Sequence, residues 1–319
     1  MKEIKVFSRK LILLMLGIIA TDVVLGLFIH IIFDKQKSGK YFITTYALNK
    51  ANQDILIFGN SHAAEHFNTP LMAEKMKLSV FNFGVQGENM LYYYPVIESM
   101  LSYHKPKLII LNLDYNELNF NSDDYQRMAI FLPYFHQNKF IDSAIFLMGQ
   151  KQKYLALSSL YRYNSTVGYI LLNSSNKAYN KSYKSLGFDP QYGNTCQSNA
   201  TTDKENEGNK KQNVKFDELK TRYLLTLIKD IRAAKIPLVI TTTPLFTGMG
   251  ENVHRQKLEQ LLKATGVKYW DYINNENFKG KCNLFTDKSH LNKEGADLFT
   301  NSIIRQITES KFITSTKAN

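Results

Sequence analysis

The sequence predicts a three-layer α/β/α sandwich around a parallel sheet, preceded by one N-terminal transmembrane helix. Three observations carry this expectation. From position 54 onward, short apolar runs alternate with stretches of helical periodicity, and strands that alternate with helices pair in parallel beneath helices on both faces. Ile55–Phe58 and Val80–Phe83 read as short buried strands. One apolar run of bilayer length stands ahead of them all.

That run, Leu11 to Phe33, has 23 residues. At about 1.5 Å per residue it reaches roughly 34 Å, enough for a bilayer core. Lys2, Lys5, Arg9 and Lys10 precede it, and Lys35, Lys37 and Lys40 follow, so the charge balance favours an inside N-terminus only weakly. A cleaved signal peptide is the rival, but its apolar core is usually shorter, and neither a small-x-small site nor a lipobox cysteine follows Phe33. The expectation is an uncleaved anchor in a bacterial cytoplasmic membrane. Residues 1–10 then face the cytoplasm and the main body lies outside it. Asp22 interrupts the run. A mid-bilayer carboxylate costs about 2.5–3.5 kcal/mol, which sixteen Leu, Ile, Val and Phe at roughly −0.3 to −0.6 each more than offset. Asp22 is then either paired with a partner helix or protonated and inert.

Residues 34–53 read as a connector that is partly helical. Residues 54–319 form the main body. Ile55–Phe58 and Val80–Phe83 are short strands, 90–104 is a helix closed by Pro106, and 108–113 is a strand. Later come a helix over 218–234, a strand over 237–243 stopped by Pro244, and a helix over 254–265 stopped by Gly266. A strand over 267–273 and a helix over 293–307 complete the pattern. An insertion over 119–213 interrupts it. Its first half, with Phe131, Tyr134, Phe135, Tyr161 and Tyr163, is expected to form helices over the site rim. Residues 189–213 are poor in large apolar side chains and read as a mobile loop. There is no internal repeat.

With 319 residues and 44% hydrophobic content, the chain can bury one sizeable core. The net charge of +12 comes from scattered lysines rather than a basic module, which argues against nucleic acid as a partner. The two cysteines, Cys196 and Cys282, are one bridge in an oxidising compartment or two idle thiols.

Ser61 ends the segment Ile55-Leu56-Ile57-Phe58-Gly59-Asn60-Ser61-His62, and Asp287 and His290 stand three apart near the C-terminus. A serine hydroxyl is a poor nucleophile at neutral pH and needs an imidazole base, which in turn needs a carboxylate to fix its tautomer. With four blocks in order, the chain resembles the SGNH, or GDSL-type, hydrolase superfamily. Gly59-Asn60-Ser61-His62 matches the nucleophile block, with Asn60 and His62 where the family usually has Asp and Leu. Phe81-Asn82-Phe83-Gly84-Val85-Gln86-Gly87 matches the second block, Asp114-Tyr115-Asn116-Glu117 the third and Asp287-Lys288-Ser289-His290 the last. The resemblance implies Ser61, Asp287 and His290 as the catalytic set. It implies an oxyanion hole from the N–H groups of Ser61 and Gly87 with the Asn116 side chain, Asn112 being the alternative to Asn116. It implies acyl esters as substrates and no metal or organic cofactor.

A rival motif overlaps the serine. His62-Ala63-Ala64-Glu65-His66 fits H-x-x-E-H, a zinc-peptidase pattern. It lacks an evident third ligand, and the bland reading is a helix start beside the site. Tyr92, Tyr93 and Tyr94 could stack on sugars, but at helical spacing they read as packing. The resulting expectation is an anchored serine esterase or O-acyltransferase acting on acyl, chiefly acetyl, esters of envelope glycans. The alternative is a non-hydrolytic accessory subunit of a membrane-bound O-acyltransferase, engaged through the anchor and Asp22.

Overall fold

The computed structural model describes residues 2–164, 166–174, 185–194, 215–310 and 312. Helix α1 spans Lys2–Phe33, and it is the one described helix long and apolar enough to cross a membrane. The connector folds as α2 (Gly39–Asn49). Five strands follow, β1 (Ile55–Phe58), β2 (Val80–Asn82), β3 (Leu108–Asn112), β4 (Leu238–Thr242) and β5 (Lys268–Asp271), all parallel in the order β2-β1-β3-β4-β5.

Successive residues of a strand face opposite sides, and the two apolar cores show this directly. Leu56, Phe58, Ile109, Leu111 and Ile240 face one core. Ile55, Ile57, Leu108, Ile110 and Val239 face the other. Over the first core lie α2, the helices Met90–Leu101, Glu218–Ala233 and Val253–Thr265, with Val96, Leu227, Ile231 and Leu258 buried. Over the second lie Thr69–Met76 and Lys293–Glu309, with Met72, Phe299 and Ile303 buried. The three-layer sandwich expected from the sequence is the observed fold. The helix Thr69–Met76 was not expected, because its eight residues are too short for a periodic signal; Asn68 caps it and Pro70 stands at its start.

The strand order reverses at β1, which has β2 on one side and β3 on the other. That switch opens a crevice at the carboxyl edge, where ligands of such sheets bind. Ser61 follows β1, the loop 83–89 follows β2 and Asp114 follows β3.

The insertion leaves the sandwich through a pinched neck. Asn119 and Phe216 form an antiparallel bridge, and the Asp217 N–H donates to the Leu118 carbonyl at 2.8 Å. Lys220, buried at 3% exposure, donates there to the Asn119 carbonyl at 2.9 Å and pairs with Asp124. Removing one partner leaves a buried charge uncompensated, so Lys220→Ala is expected to lower the unfolding free energy by about 3–5 kcal/mol. Denaturant titration measures this, and an unchanged midpoint would show that the neck does not depend on the ion pair.

The helices of the insertion form and bring Arg127 against Gly87 at the site rim, but most of their aromatic residues pack elsewhere. Phe131 stacks on Tyr92 at 5.3 Å, while Phe33 of α1 meets Tyr41 and Tyr134 edge-on at 5.5 Å each. A large apolar surface on Met90–Leu101 and the end of α1 was available to cover, and the insertion covers it. Tyr92 and Tyr93 are fully buried, so they are packing residues, as their helical spacing suggested. Cys282 is disulfide-bonded; Cys196 lies outside the described residues, as does most of the segment read as a mobile loop.

Asp22 has a use that neither sequence expectation named. Its carboxylate accepts from the Ser158 hydroxyl at 2.6 Å, the Ser159 N–H at 2.7 Å and the Leu160 N–H at 3.1 Å. The partner is the chain's own insertion. A Cβ at Gly26 would lie 2.3 Å from the Ser159 Cβ, so the two segments meet almost backbone to backbone.

Candidate active site

The serine is placed by a sharp exit from β1. Gly59 has φ +152, and a Cβ there would fall 2.8 Å from the Asn112 carbonyl oxygen and 2.7 Å from the Ala63 Cβ. Only glycine lets the chain turn this tightly against β3. Asn60 then caps the short helix Ser61–His66, its Oδ1 accepting from the His62 N–H at 2.9 Å. Ser61 is therefore the first helical residue, and no acceptor within the described residues takes its N–H.

The histidine is placed by a carboxylate turn. Asp287 Oδ1 accepts from the N–H groups of Ser289 at 2.7 Å and His290 at 2.8 Å, the local pattern that Asp favours. The bridge between Phe285 and Leu291 closes the loop, and Asn292 caps the helix that follows. The imidazole ends between two oxygens. His290 Nδ1 lies 2.9 Å from Asp287 Oδ2, and His290 Nε2 lies 3.0 Å from Ser61 Oγ. The structure thus brings together the three residues that the sequence singled out 229 positions apart.

The electrostatics follow from these contacts. The hydrogen bond to Asp287 raises His290 above the usual histidine range, against the opposing effect of burial. Burial alone would raise Asp287, but the bonds from His290 and Ser289 hold it well below the usual carboxylate range. The imidazolium form is therefore stabilised, which is what a general base needs as it takes a proton.

An open cavity of about 360 Å³ lies over these groups, walled by Ser61, Glu65, Gln86, Gly87, Gln191, Thr286, Asp287 and His290. Gly87 adopts φ +75, and a Cβ there would strike the Arg127 guanidinium at 2.3 Å. Arg127 holds the Gly87 carbonyl at 2.7 Å, while no described group accepts from the Gly87 N–H. Two unspent N–H groups, of Ser61 and Gly87, thus share one cavity wall. Gly84 of the same block serves closeness instead, because a Cβ there would lie 2.4 Å from the Ala64 nitrogen.

The third expected donor is placed elsewhere. Asn116 is exposed and is not part of the cavity wall. It sits in a turn where the Glu117 N–H donates to the Asp114 carbonyl. Asn112 is buried with its Oδ1 accepting from Thr241, and it does not reach the cavity either.

Sequence reasoning missed a second histidine–carboxylate pair beside the first. His62 Nδ1 lies 2.6 Å from Asp114 Oδ1, and Asn60 Nδ2 donates to Asp114 Oδ2 at 2.6 Å. Burial would raise Asp114, but His62 and Asn60 outweigh it and keep the carboxyl low. The His62 ring lies 4.9 Å from that of His290. The only sequence signal was the departure of the first block at Asn60 and His62, which no local rule connects to Asp114.

The same contacts decide the zinc motif. His66 Nε2 accepts from the Leu291 N–H at 2.9 Å, His62 Nδ1 is taken by Asp114, and Glu65 accepts from Gln86 at 2.9 Å. The two rings stack at 5.0 Å. Burial among two other histidines pushes His66 far below the usual range, so it stays neutral. One nitrogen of each ring and one Glu65 oxygen are engaged by the protein while His66 Nδ1 is left without a partner, and no group of three or more His, Cys, Asp or Glu among the described residues is placed to hold a metal.

No family model and no curated protein matches the chain. Among solved structures, a protein described as lipolytic and of the G-D-S-L family, from Desulfitobacterium hafniense, aligns at 10% identity and TM-score 0.39. That alignment covers 79% of this chain and 97% of the other. The YXIM protein of Bacillus subtilis aligns at 10% identity and TM-score 0.40, over 82% and 57%. A protein described as an acylhydrolase, from Bacteroides fragilis, aligns at 12% identity and TM-score 0.39, over 84% and 94%. At these scores the likeness decides neither family nor activity. The fold and the site define the class on their own: an α/β protein with a Ser–His–Asp array at the carboxyl edge of a parallel sheet.

Proposed function

We propose that the chain is a serine acyl esterase or O-acyltransferase of the SGNH kind. It is held in a bacterial cytoplasmic membrane by α1 and acts on acyl, chiefly acetyl, esters of envelope glycans outside the cell. The observation that carries the chemistry is the pair of contacts at His290, 3.0 Å to Ser61 Oγ and 2.9 Å to Asp287 Oδ2. The four sequence blocks and their order support the family.

The steps follow from the geometry. Ser61 Oγ attacks the ester carbonyl carbon as its proton passes to His290 Nε2. Asp287 holds the ring and stabilises the imidazolium. The N–H groups of Ser61 and Gly87 face the developing oxyanion, and preorganised donors of this kind are worth several kcal/mol in a transition state. His290 then returns the proton to the leaving sugar oxygen as the C–O bond breaks. Water, or a sugar hydroxyl in a transferase, attacks the acyl-serine carbonyl as its proton passes to His290, and His290 then returns that proton to Ser61 Oγ as the acyl–oxygen bond breaks. An open cavity with polar walls of Gln86, Gln191 and Thr286 suits an ester on a hydroxylated polymer better than a long acyl chain.

The reading as an accessory subunit of a membrane-bound O-acyltransferase loses the support of Asp22, whose oxygens are taken by Ser158, Ser159 and Leu160. The test is acetate release from an O-acetylated polysaccharide by purified full-length protein, with an unacetylated oligosaccharide added as acceptor. Release into water marks an esterase, and acetylated oligosaccharide marks a transferase. Neither product, together with no reaction with a fluorophosphonate, would refute the proposal.

A further inference from the structure

We propose that residues 151–164 and 166–173 form a wedge that enters the lipid leaflet beside α1, with phospholipid acyl chains covering Leu157, Leu171 and Leu172. This rests on reading α1 as a membrane anchor. Asp22 stands midway along the apolar run from Leu11 to Phe33. From Asp22 to Phe33 the helix climbs roughly 16 Å at about 1.5 Å per residue. The insertion is fastened at the lower end of that climb, through Ser158, Ser159 and Leu160 on Asp22 and through the close packing of Ser159 on Gly26. His30 Nδ1 meets the Tyr163 hydroxyl at 2.8 Å one or two turns further up. A bilayer deep enough to take in Leu11 to Phe33 therefore takes in the tip of the insertion as well.

The composition of the tip fits that setting. Leu157, Leu171 and Leu172 are 61%, 54% and 74% exposed, and Val167 adds to the same exposed set. Exposed apolar side chains on segments that pack against a spanning helix are met by lipid. Much of the backbone is paired as an apolar medium requires. The N–H groups from Gln152 to Ser158 find carbonyls three or four residues back, and that of Tyr161 finds the Ser158 hydroxyl. The two N–H groups that precede the turn at Tyr161, of Ser159 and Leu160, go to the Asp22 carboxylate. Within hydrocarbon an unpaired N–H costs several kcal/mol, so a carboxylate in the span and a helical turn outside it need one another. The charge also fits. Between Asp142 and Asp189 the sequence has no acidic residue, while Lys151 and Lys153 lie in this region. Cations on such a segment meet anionic headgroups at the interface. Lipid is therefore favoured over a second copy of the chain or another protein as the cover.

The test uses full-length protein in vesicles of phosphatidylethanolamine and phosphatidylglycerol, some with brominated acyl chains that quench nearby tryptophan. Trp270 is the only native tryptophan, so each variant is read as the emission added to that of the parent. Leu14→Trp, on α1, reports the anchor. Leu157→Trp and Leu172→Trp report the wedge. The expected result is blue-shifted emission, with loss of intensity in brominated vesicles, at all three positions. Quenching at Leu14→Trp without quenching at the other two overturns the wedge alone, whatever then covers that face. No quenching at Leu14→Trp removes the anchor and the wedge together.

Discussion

Ser61→Ala and His290→Ala should each lower kcat on a small ester by roughly 10⁴–10⁶, and the double variant should be little worse than either. The reason is the shared proton. Ser61 Oγ is reactive only while His290 Nε2, 3.0 Å away, can take its hydrogen, and an unaccompanied imidazole has no nucleophile to activate. Members of such a unit fail together, so their effects do not add. A fluorophosphonate should label wild-type protein at Ser61 and leave Ser61→Ala unmodified. Folding should survive the change, because the cap of the helix belongs to Asn60 and the turn to Gly59. Labelling that persists in Ser61→Ala would refute the assignment. So would activity that a chelator removes and zinc restores, since the chemistry would then belong to His62, Glu65 and His66.

Asp287→Asn should cost about 10⁴ in kcat, the size expected when the base keeps its place but loses the right tautomer. The pH profile separates this from simple damage. His290 must be neutral to accept a proton, so kcat/KM rises with pH as His290 titrates. Asp287 raises that titration point through its bond to Nδ1. Without the carboxylate charge the point falls, so the acid limb of the profile should move to lower pH while its plateau drops. An acid limb that stays in place would mean that Asp287 serves only to fold the turn, where it accepts from Ser289 and His290. In that case kcat and thermal stability should fall together.

The parts of the fold that were legible in the sequence are those decided over a few residues. Ile55–Phe58, Leu108–Asn112 and Leu238–Thr242 are strands because their apolar runs are too short and too uniform for anything else. The helix Val253–Thr265 ends where Gly266 takes φ +66. Differences at the ends of elements are of one or two residues for most of them. The connector and Thr69–Met76 were harder to read because short helices in such segments take their stability from the core they join, not from their own periodicity.

For the site, local and non-local information divide in the same way. Asp287 and His290 were legible because a carboxylate can accept the N–H groups two and three residues ahead, which fixes the imidazole beside it whatever the rest of the chain does. Gly59 before Ser61 was legible because a strand must turn sharply to present its last side chain. Nothing local says that Asp114 will face His62, that Asn116 will face solvent, or that Asp22 will cap a turn 136 residues away. Each of those outcomes depends on which distant segment arrives opposite a polar side chain, and that is decided by how apolar faces are covered. The insertion shows it most plainly. Its aromatic residues announced helices, but the flank of Met90–Leu101 and the end of α1 decided where those aromatic residues pack. The sequence alone determined most of the elements, an N-terminal helix long and apolar enough to cross a membrane, and the spacing of the three candidate catalytic residues. Tertiary structure decided the neighbours of every remaining polar group, because burial forces each to find a partner and only the folded chain supplies one.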